Sequence, residues 1–276
     1  MMYHANMKVA IIGGGAAGFF SAINVKENFP EATVSIFEKS NKFLAKVKVS
    51  GGGRCNVTNA CDNIADLSKA YPRGEKMLKK AFYSFNNMDM IKWLESRAVA
   101  LVTQDDGCVF PKSQNSQTII DCFYSEAQRL GISKNVGMAL SEISKSEDQL
   151  ELLFANGEKH SFDKVIIATG GSPKRSGLRW LEDLDHLIEE PLPSLFTFNM
   201  PGESNRELMG IVVEQTRVSI QGTKLKSDGP LLITHWGMSG PAILKLSAFG
   251  ARILADKDYK FTIQVNWVNQ ANHDKI

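Results

Sequence analysis

Several things are scarce or absent in this sequence, and each absence closes a class of function. There is no excess of charge of one sign: 32 lysines and arginines against 30 aspartates and glutamates leave +2, with the signs interspersed. No electrostatic footprint for nucleic acid follows from that balance. Paired cysteines are also missing. Cys55, Cys61, Cys108 and Cys122 form no Cys-x-x-Cys motif and share no metal-type spacing with a histidine. That argues against a disulfide framework or a metal site and points to reduced thiols in a cytoplasm. A membrane-length apolar run is lacking too. "MKVAIIGGGAAGFFSAI", residues 7–23, holds four glycines and has no cleavage region; it is too short to cross a bilayer and reads as a strand, a tight turn and a helix rather than a leader. The expected partner is therefore a small molecule, with neither nucleic acid nor membrane.

No internal repeat or low-complexity stretch interrupts the 276 residues, a length that fits one large domain or two modest ones. Residues 7–12 are apolar and rich in branched side chains, as in a strand buried on both faces. Residues 16–28 read as a helix stopped by Pro30, and "TVSIF", residues 33–37, as a second strand. A βαβ start of this kind implies a parallel sheet. From about residue 60 to 131 the pattern is more helical, clearest in "NNMDMIKWLESRA" and "SQTIIDCFYSEAQRLG", with Gly131 placed as a C-cap. Between those helices a hairpin is expected through Asp106 and Gly107. After residue 190, alternating runs such as "GIVVEQTRVSIQG" and "YKFTIQVNWV" predict a β-rich unit.

"IIGGGAAG" contains Gly-x-Gly-x-x-Gly as Gly13, Gly15 and Gly18, directly after a strand and opening a helix. The first glycine permits the tight turn, the second lets backbone approach a diphosphate, and the third lets helix pack on strand. The helix start at Ala16 and Ala17 offers free N–H groups and roughly +0.5 of a charge to phosphate. Glu38, with Lys39 after it, ends the second strand where a carboxylate accepts hydrogen bonds from an adenosine ribose. A tight turn without ligand and a solvated strand end are the plainer alternatives.

FAD and NAD share that fingerprint. "LFANGEKHSFDKVIIATGG" separates them: hairpin glycine Gly157, then Asp163, then a strand ending at Ala168, Thr169 and Gly170. The pattern resembles the second marker of glutathione-reductase-type FAD-binding domains, so FAD is the expected cofactor. "VSGGGRCNVTN", residues 49–59, sets three glycines beside hydrogen-bonding side chains. Such a loop is either a close backbone approach to a ligand or a mobile surface segment. A Walker-type loop would need Gly-Lys-Ser/Thr, which Arg54-Cys55 does not supply.

With these motifs and "THWGMSGPAILKLSA", residues 234–248, the chain from Met7 onward resembles the BaiN-like family of bacterial NAD(P)/FAD-dependent flavoproteins. The resemblance implies a Rossmann-like FAD-binding domain of glutathione-reductase type over residues 1–190, and an inserted β-rich domain over 191–276 that is incomplete at the C-terminus. It implies an FAD-dependent oxidoreductase transferring hydride between flavin and a small organic substrate, with NAD(P)H as candidate donor. An RNA-modifying enzyme of the same fold and a non-catalytic nucleotide-binding fragment are the alternatives. It also implies that Gly52, Gly53, Arg54, Cys55 and Asn56 lie near the cofactor, that Asn59 closes the loop's turn, and that Leu140 sits where backbone recognises adenine. Arg54 would neutralise diphosphate or reduced flavin. Cys55 is a redox partner or a packed thiol, and His235 with Ser239 lines a substrate site or shapes a turn. No metal is expected. Because relatives continue past this point, the chain is expected to hold FAD weakly, through its adenine half.

Overall fold

The computed structural model describes residues 7–268, which form two units: residues 7–172 with 177–188, and residues 173–176 with 189–268. The first unit is built on a four-stranded parallel sheet. β1 (Lys8–Ile12) is its centre because Val9, Ala10, Ile11 and Ile12 are buried on both faces. α1 (Ala16–Asn28) lays Gly18, Phe19, Ala22 and Ile23 against it, a helical spacing that makes one apolar stripe. β2 (Thr33–Phe37) then pairs parallel to β1.

A long excursion follows. It contains α2 (Ala45–Val49), β3 (Thr58–Asn59), α3 (Ile64–Lys69), α4 (Glu75–Phe82), α5 (Asn87–Glu95), β4 (Leu101–Thr103), β5 (Cys108–Pro111) and α6 (Gln117–Arg129). Its helices are capped from the sequence. The Asn63 side chain accepts from the N–H groups of Ala65 and Asp66, and Asn86 with Asp89 closes a capping box. Gly131, at φ +66°, ends α6 in a Schellman turn with Ile132 N–H on the Ala127 carbonyl at 2.9 Å. The expected hairpin is β4–β5, with Gly107 at φ +81°, and β3 adds a third antiparallel strand.

β6 (Ser133–Asn135) returns beside β2. β7 (Leu140–Ser146), β8 (Gln149–Phe154) and β9 (Lys159–Phe162) form an antiparallel meander. Phe154, Phe162 and Leu152 of that meander pack on Phe37, Ala10 and Ile12. β10 (Lys164–Ile167) completes the parallel order β10-β1-β2-β6, and α7 (Arg179–Glu182) lies beyond it. The hairpin through Asn156 and Gly157 therefore joins β8 to polar β9, and "KVII" is a further strand in a different sheet. Asp163, between the two, accepts from Lys8 N–H at 2.7 Å and from Gln149 Nε2 at 3.0 Å. It pins the meander to the start of β1.

In the second unit β11 (Phe198–Asn199), β12 (Val212–Ile220), β13 (Lys226–Thr234), β14 (Gly237–Ser239) and β15 (Ile263–Asn266) make a sheet of order β11-β14-β13-β12-β15. The sequence reading expected strands here and did not anticipate α8 (Pro241–Asp256), which buries Ala242, Ile243, Leu246, Gly250, Ala251 and Leu254 against the sheet. Pro241 at its first turn suits a helix start. Among the described residues no helix is long and apolar enough to cross a membrane.

One ion network clamps three helices of the first unit. Arg97 Nη2 lies 2.5 Å from Glu27 Oε1 and its Nε 3.2 Å from Glu126 Oε2; Arg129 Nη2 reaches Glu126 at 2.6 Å and Glu27 at 3.3 Å. The Arg97 guanidinium is stacked on Trp93 at 3.9 Å. The Arg129 hydrogen bond holds the Glu126 carboxyl below its ordinary value although partial burial opposes this. A carboxylate whose folded pKa is depressed contributes stability that is present above its unfolded pKa, near 4.5, and is lost as pH falls through the folded value. Glu126→Gln should therefore lower the melting temperature at pH 7 by several degrees, for a loss on the order of 1–2 kcal/mol. The gap to the parent should close as pH falls below about 4, and a gap independent of pH in thermal melts would contradict this.

Candidate functional site

The C-terminal edge of the parallel sheet gathers the fingerprint. Gly13 has φ +110°, and a Cβ there would meet the Ala168 carbonyl oxygen at 2.4 Å. A Cβ on Gly18 would lie 1.9 Å from the Gly13 oxygen. The fold itself thus requires both glycines: one for a left-handed turn pressed on the end of β10, the other for α1 to cross β1 closely. Gly15 is different. Its φ of −88° and ψ of −172° suit any residue, and a Cβ would meet nothing within 4 Å. Among the described residues, neither the backbone conformation nor a neighbouring atom demands glycine there. No side chain caps α1, and Ala16 and Ala17 at its start are exposed. Their N–H groups are among those that a helix start leaves without an intrahelical partner, the kind an anion can use.

Glu38 closes one side of the turn. Its Oε2 accepts the Gly14 N–H and its Oε1 the Ser40 N–H, both at 2.8 Å. Partial burial pushes the carboxyl upward, but these bonds outweigh it, and the group sits below its ordinary value. A carboxylate oxygen has two lone-pair directions. The Ser40 side chain adds a further hydrogen bond, which leaves at least one direction uncommitted among the described residues. Lys39 follows, exposed, and adds a favourable charge.

Phe43 and Leu44 cover the other side, and sequence reasoning missed them. A Cβ on Gly14 would overlap the Phe43 ring at 2.2 Å, and Leu44 N–H donates to the Gly14 carbonyl at 2.8 Å. Phe43 in turn packs on Phe19 at 5.6 Å. Gly170, at φ +73°, follows Ala168 and the exposed Thr169. Leu140 begins β7, half-buried on the meander core near Met138, whose N–H donates to the Glu38 carbonyl at 2.9 Å.

The glycine-rich loop is ordered by its own bonds. Gly51, Gly52 and Gly53 have φ of +54°, +68° and +86°, and Cys55, at +64°, joins them as a non-glycine residue. Gly51 is required by the fold, since a Cβ would meet the Asn56 nitrogen at 2.6 Å; at Gly52 and Gly53 there is open space. The loop is tied down where the Ser116 N–H donates to the Gly53 carbonyl at 2.9 Å. Arg54 is committed to this loop: its guanidinium lies over the Phe110 ring at 4.2 Å and donates to the Gly51 carbonyl and Gln114 Oε1, each at 3.3 Å. Cys55 is buried in the main core, and burial pushes its thiol up, which disfavours the thiolate a redox partner needs. Asn56 is exposed. Asn59 accepts from Cys61 N–H at 3.0 Å and donates to the Asp106 carbonyl at 3.4 Å, joining the loop to the β4–β5 hairpin.

His235 and Ser239 belong to the second unit, at the β13–β14 turn. His235 is exposed, with its ring edge-on to Trp236 at 4.5 Å, and has no hydrogen bond among the described residues.

Residues 7–243 match the family model described as HI0933-like protein Rossmann domain, and the chain belongs to that family. Among curated relatives, the 3-dehydro-bile acid delta(4,6)-reductase of Clostridium scindens is 22% identical over 249 residues, covering 87% of this chain and 59% of that protein. The ribosomal RNA dihydrouridine synthase of Escherichia coli is 27% identical over 254 residues, covering 87% and 60%. The chain thus spans about six-tenths of the length of these curated relatives. Among solved structures, the open conformation of a flavocytochrome c3 fumarate reductase aligns with a TM-score of 0.51 at 14% identity, over 77% of this chain and 48% of that one. At that identity the likeness concerns the fold, a Rossmann-type α/β unit accompanied by a β-rich one.

The three fingerprint glycines should separate by substitution. Gly15→Val should melt within about 2 °C of the parent, since its backbone is ordinary and its surroundings open, yet lose dinucleotide affinity by roughly 100-fold or more, equivalent to about 3 kcal/mol. Gly18→Ala should instead cost stability, by about 2 kcal/mol or more, because it forces α1 off β1. Calorimetric melts beside ligand titrations test both, and unchanged affinity in Gly15→Val would remove the cofactor reading of the turn.

Proposed function

We propose that the first unit holds the adenosine and diphosphate of FAD, and that the protein is an FAD-dependent oxidoreductase of BaiN-like type acting on a small organic substrate with NAD(P)H as electron donor. The observation that carries this is Gly15: a glycine demanded neither by backbone conformation nor by packing, at the uncapped start of a helix, beside a carboxylate at the end of β2. FAD is favoured over NAD by the connection from β6 to β10. It runs through the three-stranded meander, as in the glutathione-reductase-type domains that the sequence resembles, and not through a helix.

The residues fit that cofactor part by part. Gly13 and Gly18 shape the turn, Gly15 with the Ala16 and Ala17 N–H groups receives the diphosphate, Glu38 takes the ribose, and Gly170 lets the strand end pass close by. Bound FAD would supply two-electron chemistry through its N5. The chain's own contribution is binding and orientation: a buried Cys55 keeps its proton, and Arg54 fixes the loop. Cytoplasmic residence agrees with four free thiols at Cys55, Cys61, Cys108 and Cys122.

A second reading has an observation of its own. The relative named a ribosomal RNA dihydrouridine synthase is no more distant in identity than the one named a bile acid reductase, so an RNA base is the rival to a small free substrate. Both names describe saturation of a carbon–carbon double bond, which makes an electron-poor alkene conjugated to a carbonyl the shared substrate chemistry.

Titration with FAD should quench flavin fluorescence to a saturable end point, and ADP should reverse the quenching, because the described contacts belong to the ADP half. Anaerobic NADH or NADPH should then bleach the bound flavin, and comparing a conjugated enone with a uridine-containing RNA as oxidant chooses between the readings. Absence of any FAD-dependent quenching would overturn the proposal.

A further inference from the structure

Between residues 39 and 54 the chain places Lys39, Lys42, Lys46, Lys48 and Arg54 and not one carboxylate. Two of these cations are occupied. Lys48 Nζ donates to Gln117 Oε1 at 3.0 Å, and Arg54 lies on Phe110 and donates to Gly51 and Gln114. Lys39 adjoins Glu38 and lowers its pKa. Lys46 is exposed and has neither ion pair nor hydrogen bond among the described residues. Its ammonium nitrogen lies 3.6 Å from the point a Cβ on Gly170 would occupy.

That position is set by the fold. Leu44 takes a left-handed conformation, φ +57°, and its N–H bonds to Gly14. Leu44 and Val47 are both buried, so α2 is anchored against the fingerprint turn with Lys46 carried on it. Gly170 stands two residues after Ala168, whose carbonyl presses on Gly13. An unpaired cation thus stands at the sheet edge where Gly15 faces open space and the α1 N–H groups are uncapped. A dinucleotide diphosphate carries two negative charges, whereas a helix terminus offers roughly +0.5. A further cation would add to that compensation, and Arg54 is engaged elsewhere.

We propose that Lys46 is that cation: it binds the diphosphate of the dinucleotide and takes the part that the sequence motif suggested for Arg54, which serves instead to hold the glycine loop. This inference rests on the FAD reading. A lysine suits the task as a compact charge on a flexible stem.

The test compares Lys46→Met and Lys46→Arg with the parent chain, measuring affinity for FAD by fluorescence and for ADP by calorimetry at low and high salt. Lys46 is exposed, so both variants should melt with the parent. Lys46→Met should lose roughly tenfold in affinity for FAD and for ADP alike, as for one charged contact at a solvated site. The loss should shrink near 1 M salt, where the Debye length is about 3 Å, and Lys46→Arg should retain most of the affinity. Unchanged FAD affinity in Lys46→Met, beside a parent that binds FAD, would overturn the assignment and leave the FAD reading intact. A loss for FAD with ADP unaffected would also overturn it, by placing the ammonium at the ring end. A parent that binds neither ligand would overturn the FAD reading and this assignment together.

Discussion

Everything at the functional edge of the first unit depends on two places where backbone meets backbone with no side chain between. Gly13 presses on the Ala168 carbonyl, and Gly18 presses on Gly13. These contacts fix the end of β10, the end of β1 and the start of α1 as one rigid corner. Because the corner is rigid, the first N–H groups of α1 point at a constant place, and Glu38 reaches across to the Gly14 N–H without a ligand having to organise it. Preorganisation of this kind keeps the entropic cost of binding low. The same packing explains why Gly15 alone of the three is free to answer to an external molecule.

Much of this corner was legible in the sequence because its determinants are short in range. A branched apolar run, three spaced glycines, a helix and a carboxylate after the next strand lie within residues 7–38 and admit few arrangements. Gly131 and the Asp106-Gly107 hairpin were legible for the same reason, since each expresses a local backbone demand. Phe43, Leu44 and Lys46 were not legible. Their placement depends on a hydrogen bond to Gly14 and on the burial of Leu44 and Val47, which no spacing rule announces, although the run of cations free of carboxylates was there to be noticed. α8 is hard to see because "PAILKLSA" stands among alternating β-type runs; only when the apolar spacing is followed through Gly250, Ala251 and Leu254 does a period of 3.6 emerge.

The loop at residues 51–55 sets a glycine that packing requires beside two that packing does not. Gly51 makes room for Asn56 and Phe110, a purely internal demand, while Gly52 and Gly53 have left-handed backbones facing open space. Cys55 adopts the same region without being glycine, at a cost of order 1 kcal/mol, and is held there by burial in the core and by its N–H bond to Ser50 at 3.0 Å. Arg54, stacked and hydrogen-bonded, is the brace that keeps the loop in this shape.

The neighbouring strands β2 and β6 are separated along the chain by residues 38–132, and this bears on how the protein folds. Closing a loop of that length costs about 4 kcal/mol of chain entropy before the strand pair returns anything. High-separation pairing of this kind is slow. The Arg97, Glu27, Glu126 and Arg129 network, with the Phe19, Phe43, Phe123 and Tyr124 rings packed nearby, joins α1 to α5 and α6 and so brings the end of α6 within reach of the sheet. β6 follows α6 after a single tight turn. The clamp therefore holds the end of α6, and with it β6, beside the strand that β6 pairs with across that long separation.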